Sequence, residues 1–272
     1  MILLHVTVVA LYGLAAAASW PAAATQGAPG HRAGGLAGAA VWLLPLALLL
    51  HGWLGWRAVV TPEGLDLSFA NAVSVVAGLI AVVAWVSGLL TKLPAIGTVV
   101  LPVAAVASLL PALVASPHRF EYGGASLATA HVAVALVSYA IFLVAALQAL
   151  VLMGLEKRLH RRLPDPESAA LPPLLTLERF LFRLVAVGFV LLTLTLMSGM
   201  LFTEQLFGKP LQFTHKSVFS VLGWITFGAL LFGRWRYGWR GRVALRWIIA
   251  GTVFVFLAYL GYKFVLEVLL GR

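Results

Sequence analysis

Leu127-Ala-Thr-Ala-His-Val-Ala-Val-Ala-Leu-Val-Ser-Tyr-Ala-Ile-Phe-Leu-Val-Ala-Ala-Leu-Gln-Ala-Leu-Val151 carries no charged residue from end to end. A helix of about 20 apolar residues crosses a hydrocarbon layer roughly 30 Å thick, and only a helix or a closed barrel satisfies its own backbone polar groups there. The stretch predicts a membrane span, and the rest of the chain repeats it. Comparable segments lie near residues 2 to 20, 36 to 56, 69 to 90, 95 to 115, 183 to 203, 215 to 233 and 245 to 266. The 272 residues are 62% hydrophobic and 10% charged, with a mean hydropathy of +1.00, far from the mixed composition of a soluble domain. A β-barrel would show shorter segments alternating apolar and polar residues, and none of these does. The expectation is an all-α, polytopic transmembrane bundle of about eight spans, forming one integral membrane domain over residues 1 to 272.

The net charge of +10 by itself suggests nucleic acid, but the placement of the charges argues against it. With loops assigned alternately, one side receives Arg32, Lys92, Lys157, Arg158, Arg161, Arg162, Arg179, Arg183, Arg234, Arg236, Arg240, Arg242 and Arg246. The other receives Arg57, Arg119, Lys209, Lys216, Lys263 and Arg272. The positive-inside rule puts the first group in the cytoplasm, so both termini are expected outside, and membrane lipid replaces nucleic acid as the partner. The alanine-rich run from Ala15 to Ala24 resembles a signal-peptide cleavage region, yet no Lys or Arg precedes Arg32, so the first segment reads as a retained helix. The absence of cysteine excludes disulfides and thiolate metal sites for this chain by itself.

The longest hydrophilic interval, about Gly154 to Arg183, is too short to bury a core of its own. Leu171 to Arg183 mixes apolar residues with Glu178, Arg179 and Arg183, and reads as an amphipathic helix at the inner interface before the sixth span. Trp53 and Trp56 at one interface, with Trp235, Trp239 and Trp247 at the other, fit the aromatic belts that anchor spans. The sequence holds no P-loop, dinucleotide fingerprint or HExxH motif.

Under this topology His5, His51, His118, His131 and His215 lie in the outer half, and His31 and His160 in inner loops as solvated side chains. His51 follows the uncharged run Leu43 to Leu50, and His131 stands some four residues inside its span. An imidazole beside lipid is costly without a partner. Two readings are open for each: a hydrogen bond to a neighbouring Ser, Thr or carbonyl that pins two helices, or coordination of a metal or haem iron. His215 opens the seventh span in Phe213-Thr-His-Lys-Ser-Val-Phe, where Thr214 can serve as N-cap. It is either an interfacial polar cap or an alternate ligand, with Lys216 or Arg119 offering a cation to an anionic group such as a propionate. Two axial imidazoles on one iron need coordinating nitrogens roughly 4 Å apart. Zinc is less attractive, because no carboxylate lies near the two buried histidines, although Glu121 and Glu204 in the outer loops leave a mixed site open.

Several motifs together resemble a known family. They are Ala130-His-Val, Leu136-Val-Ser-Tyr-Ala, Leu175-Thr-Leu-Glu-Arg-Phe-Leu-Phe-Arg, Gly188-Phe-Val-Leu-Leu-Thr, Ser198-Gly, His215-Lys-Ser-Val-Phe-Ser-Val-Leu-Gly-Trp and Gly238-Trp-Arg-Gly-Arg. The pattern is similar to the cytochrome c assembly family of haem-handling membrane proteins, specifically its small YpjD-like branch, over residues 125 to 265. The resemblance implies a bacterial inner membrane, non-covalent haem of b type, and other cytochrome maturation proteins as partners. It also implies that His131 matches the first of two histidines flanking the haem platform of larger members. Where those members carry a Trp-Asp-Pro-Lys-Glu-Thr-Trp type segment, this chain has Phe213-Thr-His-Lys-Ser-Val-Phe, and Phe232 stands where a later intramembrane histidine is expected. These departures point away from covalent haem attachment, and no enzymatic activity is expected of this chain alone.

The sequence thus predicts a protein that holds or relays haem near the outer leaflet. Its candidate residues are His51 and His131 as axial ligands, His215 as an alternate ligand, and Lys216 and Arg119 for the propionates. The competing expectation is a non-catalytic regulator or scaffold, similar to the HemX-like relatives, acting through the basic inner loops. A proton or ion transporter is disfavoured, because all nine acidic residues fall in loops or at span ends.

Overall fold

A computed structural model of the chain describes residues 2–24, 35–61, 64–91, 95–114, 119–120, 126–160, 174–201 and 214–270. They form eight helices: α1 (Ile2–Ala24), α2 (Gly35–Val59), α3 (Phe69–Thr91), α4 (Ala95–Leu113), α5 (Ser126–His160), α6 (Leu174–Leu201), α7 (His215–Tyr237) and α8 (Gly241–Phe256). The last continues through π-helical turns at Leu257–Gly261 and Phe264–Leu269. Six of these helices, all but α1 and α4, are long and apolar enough to cross a membrane; α1 and α4 contribute shorter apolar helices. The chain is an all-α, polytopic membrane protein. Its small β-structure is an antiparallel sheet in the order β1 (Val60–Thr61), β2 (Gly64–Asp66) and β3 (Arg119–Phe120), which ties together two interhelical connections at the same end of the bundle.

The helices pack as two groups. In the first, α1, α2, α3 and α4 meet over Val8, Tyr12, Leu54, Ala81, Leu101 and Ala104. So many of these positions are alanine that the backbones approach closely, which is how helices associate where lipid removes most of the hydrophobic drive. In the second, α5 to α8 meet over larger side chains, among them Phe142, Leu181, Phe227 and Ile248. Helix α3 belongs to both: Ala72 and Val76 face the second core, Ala77 and Ala81 the first. Residues 76 and 77 diverge by one helical step, about a quarter turn or slightly more, so one helix serves two cores.

Residues 174–183 are the first turns of the 28-residue α6 and run without a break into the expected sixth span, where the sequence suggested a separate interfacial helix. Helix α5 likewise extends to His160, and the rest of the connection to α6 lies outside the described residues, as do the positions of His31, Glu121 and Glu204. The Gly238-Trp-Arg-Gly-Arg motif is the α7–α8 turn. Gly238 (φ 66°) ends α7 in the left-handed region and Gly241 (φ 52°) opens α8 there, conformations that a side chain at either position would strain. Between them Trp239 folds back against Gly233 and Trp247, and its carbonyl accepts from Arg234 at 3.1 Å. Glu178 of α6 accepts from the same arginine at 2.7 Å and lies 3.6 Å from Arg240, while Arg242 pairs with Glu156 at 3.8 Å. These pairs gather at one end of the bundle.

Candidate functional site

The polar side chains that lack an obvious reason to enter an apolar bundle gather at the opposite end. Alternating helix direction brings together the starts of α1, α3, α5 and α7 with the ends of α2, α4, α6 and α8. His5 donates through Nδ1 to the Ser108 carbonyl at 2.5 Å, near the end of α4. His51, 2% exposed, has Tyr12 OH 3.1 Å from Nδ1 and Ser74 Oγ 3.0 Å from Nε2. The Tyr12 and His51 rings meet edge to face at 5.7 Å. Gly78 makes the room for this: a Cβ there would stand 3.2 Å from His51 Cε1. A neutral ring held this way donates through one nitrogen and accepts at the other, so both are engaged and α1, α2 and α3 are pinned together.

Such a network predicts a modest, divisible loss. Tyr12→Phe and Ser74→Ala are each expected to cost about 0.5 to 1.5 kcal/mol. His51→Leu should cost more than either, because it strands both hydroxyls. Heating in detergent followed by size-exclusion chromatography reads the order; equal losses for all three variants would remove the ring from the centre of the network.

His131, in the second group, is half-buried, and its Nδ1 lies 2.7 Å from Ser198 Oγ, which in turn donates to the Thr195 carbonyl at 3.1 Å. Gly199 leaves the ring its place, since a Cβ there would stand 3.4 Å from His131 Cε1. The Ser198-Gly pair noted in the sequence is therefore the seat of His131. His215 is exposed as the first residue of α7, behind the Thr214 N-cap, whose Oγ1 accepts from Ser217 N at 3.4 Å. Lys216 is half-buried with its ammonium 5.5 Å from the centre of the Tyr259 ring, within electrostatic reach of His131. Arg119 is described only as backbone of β3. The structure brings His131 and Lys216 into one neighbourhood with Tyr259, whereas the hydrogen-bond partners of His51 all belong to α1 and α3. Among the described residues no group of three or more His, Asp or Glu side chains stands close enough to share a metal ion.

Sequence reasoning did not single out Tyr259, Lys263 and Glu267. Lys263 donates to Glu267 at 2.6 Å with side chains only 8% and 4% exposed, and Glu267 also accepts from the Phe69 backbone N–H at 2.5 Å, capping α3. The i,i+4 pair of opposite charges at the end of an apolar run was the available signal.

The fold and site define a multi-pass helical membrane protein whose buried polar groups converge at one end, where His5, His51, His131 and His215 stand on different helices. The chain matches the family described as Cytochrome C assembly protein over residues 42–270 and belongs to that family, in its YpjD-like branch. It is 31% identical to the inner membrane protein YpjD of Escherichia coli over 232 residues, 82% of this chain and 85% of that one. A 28.8 kDa protein from the nifR3-like 5' region of Azospirillum brasilense is 35% identical over 141 residues, 52% of each chain. The cytochrome c biogenesis protein CcsA of Gloeobacter violaceus is 30% identical over 92 residues, covering 34% of this chain and 27% of that protein.

Proposed function

We propose that the protein holds or relays haem for cytochrome c maturation in a bacterial inner membrane, at the outward, histidine-bearing end of the bundle, binding it non-covalently. The observation that carries this reading is the Ser198 hydroxyl on His131 Nδ1 at 2.7 Å. An imidazole that ligates iron through one nitrogen is held in orientation by a hydrogen bond at the other, and Ser198 with Gly199 provides that support. Bound haem would supply an iron and two carboxylates; His131 would hold the iron, and Lys216 and Arg119 would be the cations for the carboxylates. His215, on the rim of the same helix group, is the better second ligand. His51 would serve only by exchanging its bond to Tyr12 or Ser74 for one to iron. Donor capacity at Tyr259, whose buried hydroxyl has no hydrogen-bond partner among the described residues, agrees with an anionic ligand at this end. The regulator reading is weaker, because Arg234, Arg240 and Arg242 of the basic end are engaged by Glu178 and Glu156.

Protein purified from haem-replete cells should show a Soret band and, when reduced, split α and β bands of bis-imidazole b-type haem. Ser198→Ala is expected to weaken hemin binding at least tenfold, and His131→Ala to remove most of the Soret absorbance. Comparing His215→Ala with His51→Ala identifies the second ligand. A colourless preparation that also fails to take up added hemin would sink the reading.

A further inference from the structure

Among the described residues two buried side-chain polar atoms have no hydrogen-bond partner, Gln148 Nε2 and the Tyr259 hydroxyl. Tyr259 is the more informative, because its neighbour shows what a satisfied tyrosine looks like here. Tyr139, whose ring stands 5.7 Å from that of Tyr259, bonds the buried Ser220 through its own hydroxyl. Tyr259, 8% exposed, has nothing equivalent. A buried hydroxyl without a partner carries its full desolvation penalty, and an acceptor from outside the chain would relieve it.

Lys216 has the complementary deficit. Its ammonium lies over the Tyr259 ring, and no carboxylate among the described residues pairs with it. The nearby Glu267 is bonded to Lys263 and to the Phe69 N–H. Stacking on a ring face offsets part of the cost of withdrawing a cation from water but leaves its three N–H donors to be met. The ammonium lies over the ring and the hydroxyl is unbonded, so an anion with two oxygens would accept from both. Tyr259 also sits in the π-helical segment Leu257–Gly261, whose widened turn keeps Val255, Tyr259 and Lys263 buried at intervals of four residues.

We propose that the Tyr259 hydroxyl and the Lys216 ammonium form a two-donor position for one oxyanion, so that the site selects a ligand with a free acid group. This rests on the haem reading where the oxyanion is a propionate carboxylate; the same chemistry is offered by the phosphate of an anionic lipid. Tyr259→Phe is the informative variant, because it keeps the ring under Lys216 and against Tyr139 and deletes only a hydroxyl that no other described residue bonds.

The test titrates hemin and hemin dimethyl ester, which lacks both free carboxylates, into the full-length protein in dodecyl maltoside. It compares wild type, Tyr259→Phe and Lys216→Gln. Wild type should bind hemin about tenfold more tightly than the ester, and each variant should lose that preference while keeping its ester affinity. Equal binding of both porphyrins by wild type, with neither affinity moved by the variants, overturns the carboxylate position while leaving the haem reading intact. If wild type binds neither porphyrin, the haem reading fails and the lipid arm decides: thermal stabilisation by added phosphatidylglycerol that both variants lose assigns the position to lipid phosphate. Stabilisation equal in all three proteins, together with the absence of porphyrin binding, overturns the proposal.

Discussion

Glu267→Ala is expected to destabilise the protein by about 3 to 5 kcal/mol. The carboxylate holds Lys263 at 2.6 Å and the Phe69 N–H at 2.5 Å with almost no exposure, so its removal takes this counter-charge from a buried ammonium and this acceptor from a helix N-terminus. The contact also joins the end of α8 to the start of α3 and so locks the two helix groups at the end that carries the candidate site. In detergent the thermal midpoint should fall by roughly 10 °C. Lys263→Met combined with Glu267→Leu should restore much of the loss, because removing both charges removes the desolvation cost with the attraction. A single variant as stable as the wild type would show that the pair contributes nothing to the lock.

Gly251→Leu is expected to have a comparable effect by a different route. Phe142 and Phe227 stack with ring centres 3.8 Å apart and planes within 8°, at the centre of the four-helix group. Glycines make this possible: a Cβ at Gly251 would stand 2.8 Å from Phe227 Cζ, and one at Gly188 would stand 2.9 Å from Phe142 Cε1. Both rings are fully buried, so neither can swing away. A methyl at position 251 gains about 1 kcal/mol of helix propensity yet forces an overpacking cost of about 1 to 3 kcal/mol, and a leucine exceeds it. Phe227→Leu should rescue Gly251→Ala in part, and a double-mutant cycle measures the coupling. Loss of the monodisperse peak on size exclusion at growth temperature is the expected result for Gly251→Leu, and unchanged behaviour would remove the glycine from the packing argument.

The membrane class, the positions of the helices and the gathering of histidines at one end were legible because they depend on hydropathy, which each residue carries wherever it sits. Ser198-Gly and Gly238-Trp-Arg-Gly-Arg were visible as motifs, but their meaning was not. The first is the seat of His131, and the second is a pair of left-handed glycines around a tryptophan that packs on Gly233. Trp239 and Trp247, which read as members of an aromatic belt, pack on each other at 5.3 Å, while Trp53, Trp56 and Trp235 are exposed as a belt requires. His51 and His131 looked alike in sequence, at matched depths in similar runs. The fold separates them, one with both ring nitrogens bonded within the first helix group and one supported by Ser198 within the second.

The sequence by itself determined that this is a helical membrane protein of the cytochrome c assembly type, since span length, charge asymmetry and local motifs are properties of consecutive residues. Which polar groups meet was settled by the packing of helices far apart in sequence. Tyr12 with His51, His131 with Ser198, the Phe69 backbone N–H with Glu267 and Lys216 with Tyr259 lie 39 to 198 residues apart. Whether a buried polar group is satisfied or left wanting a ligand depends on contacts between helices, which hydropathy along one helix does not encode.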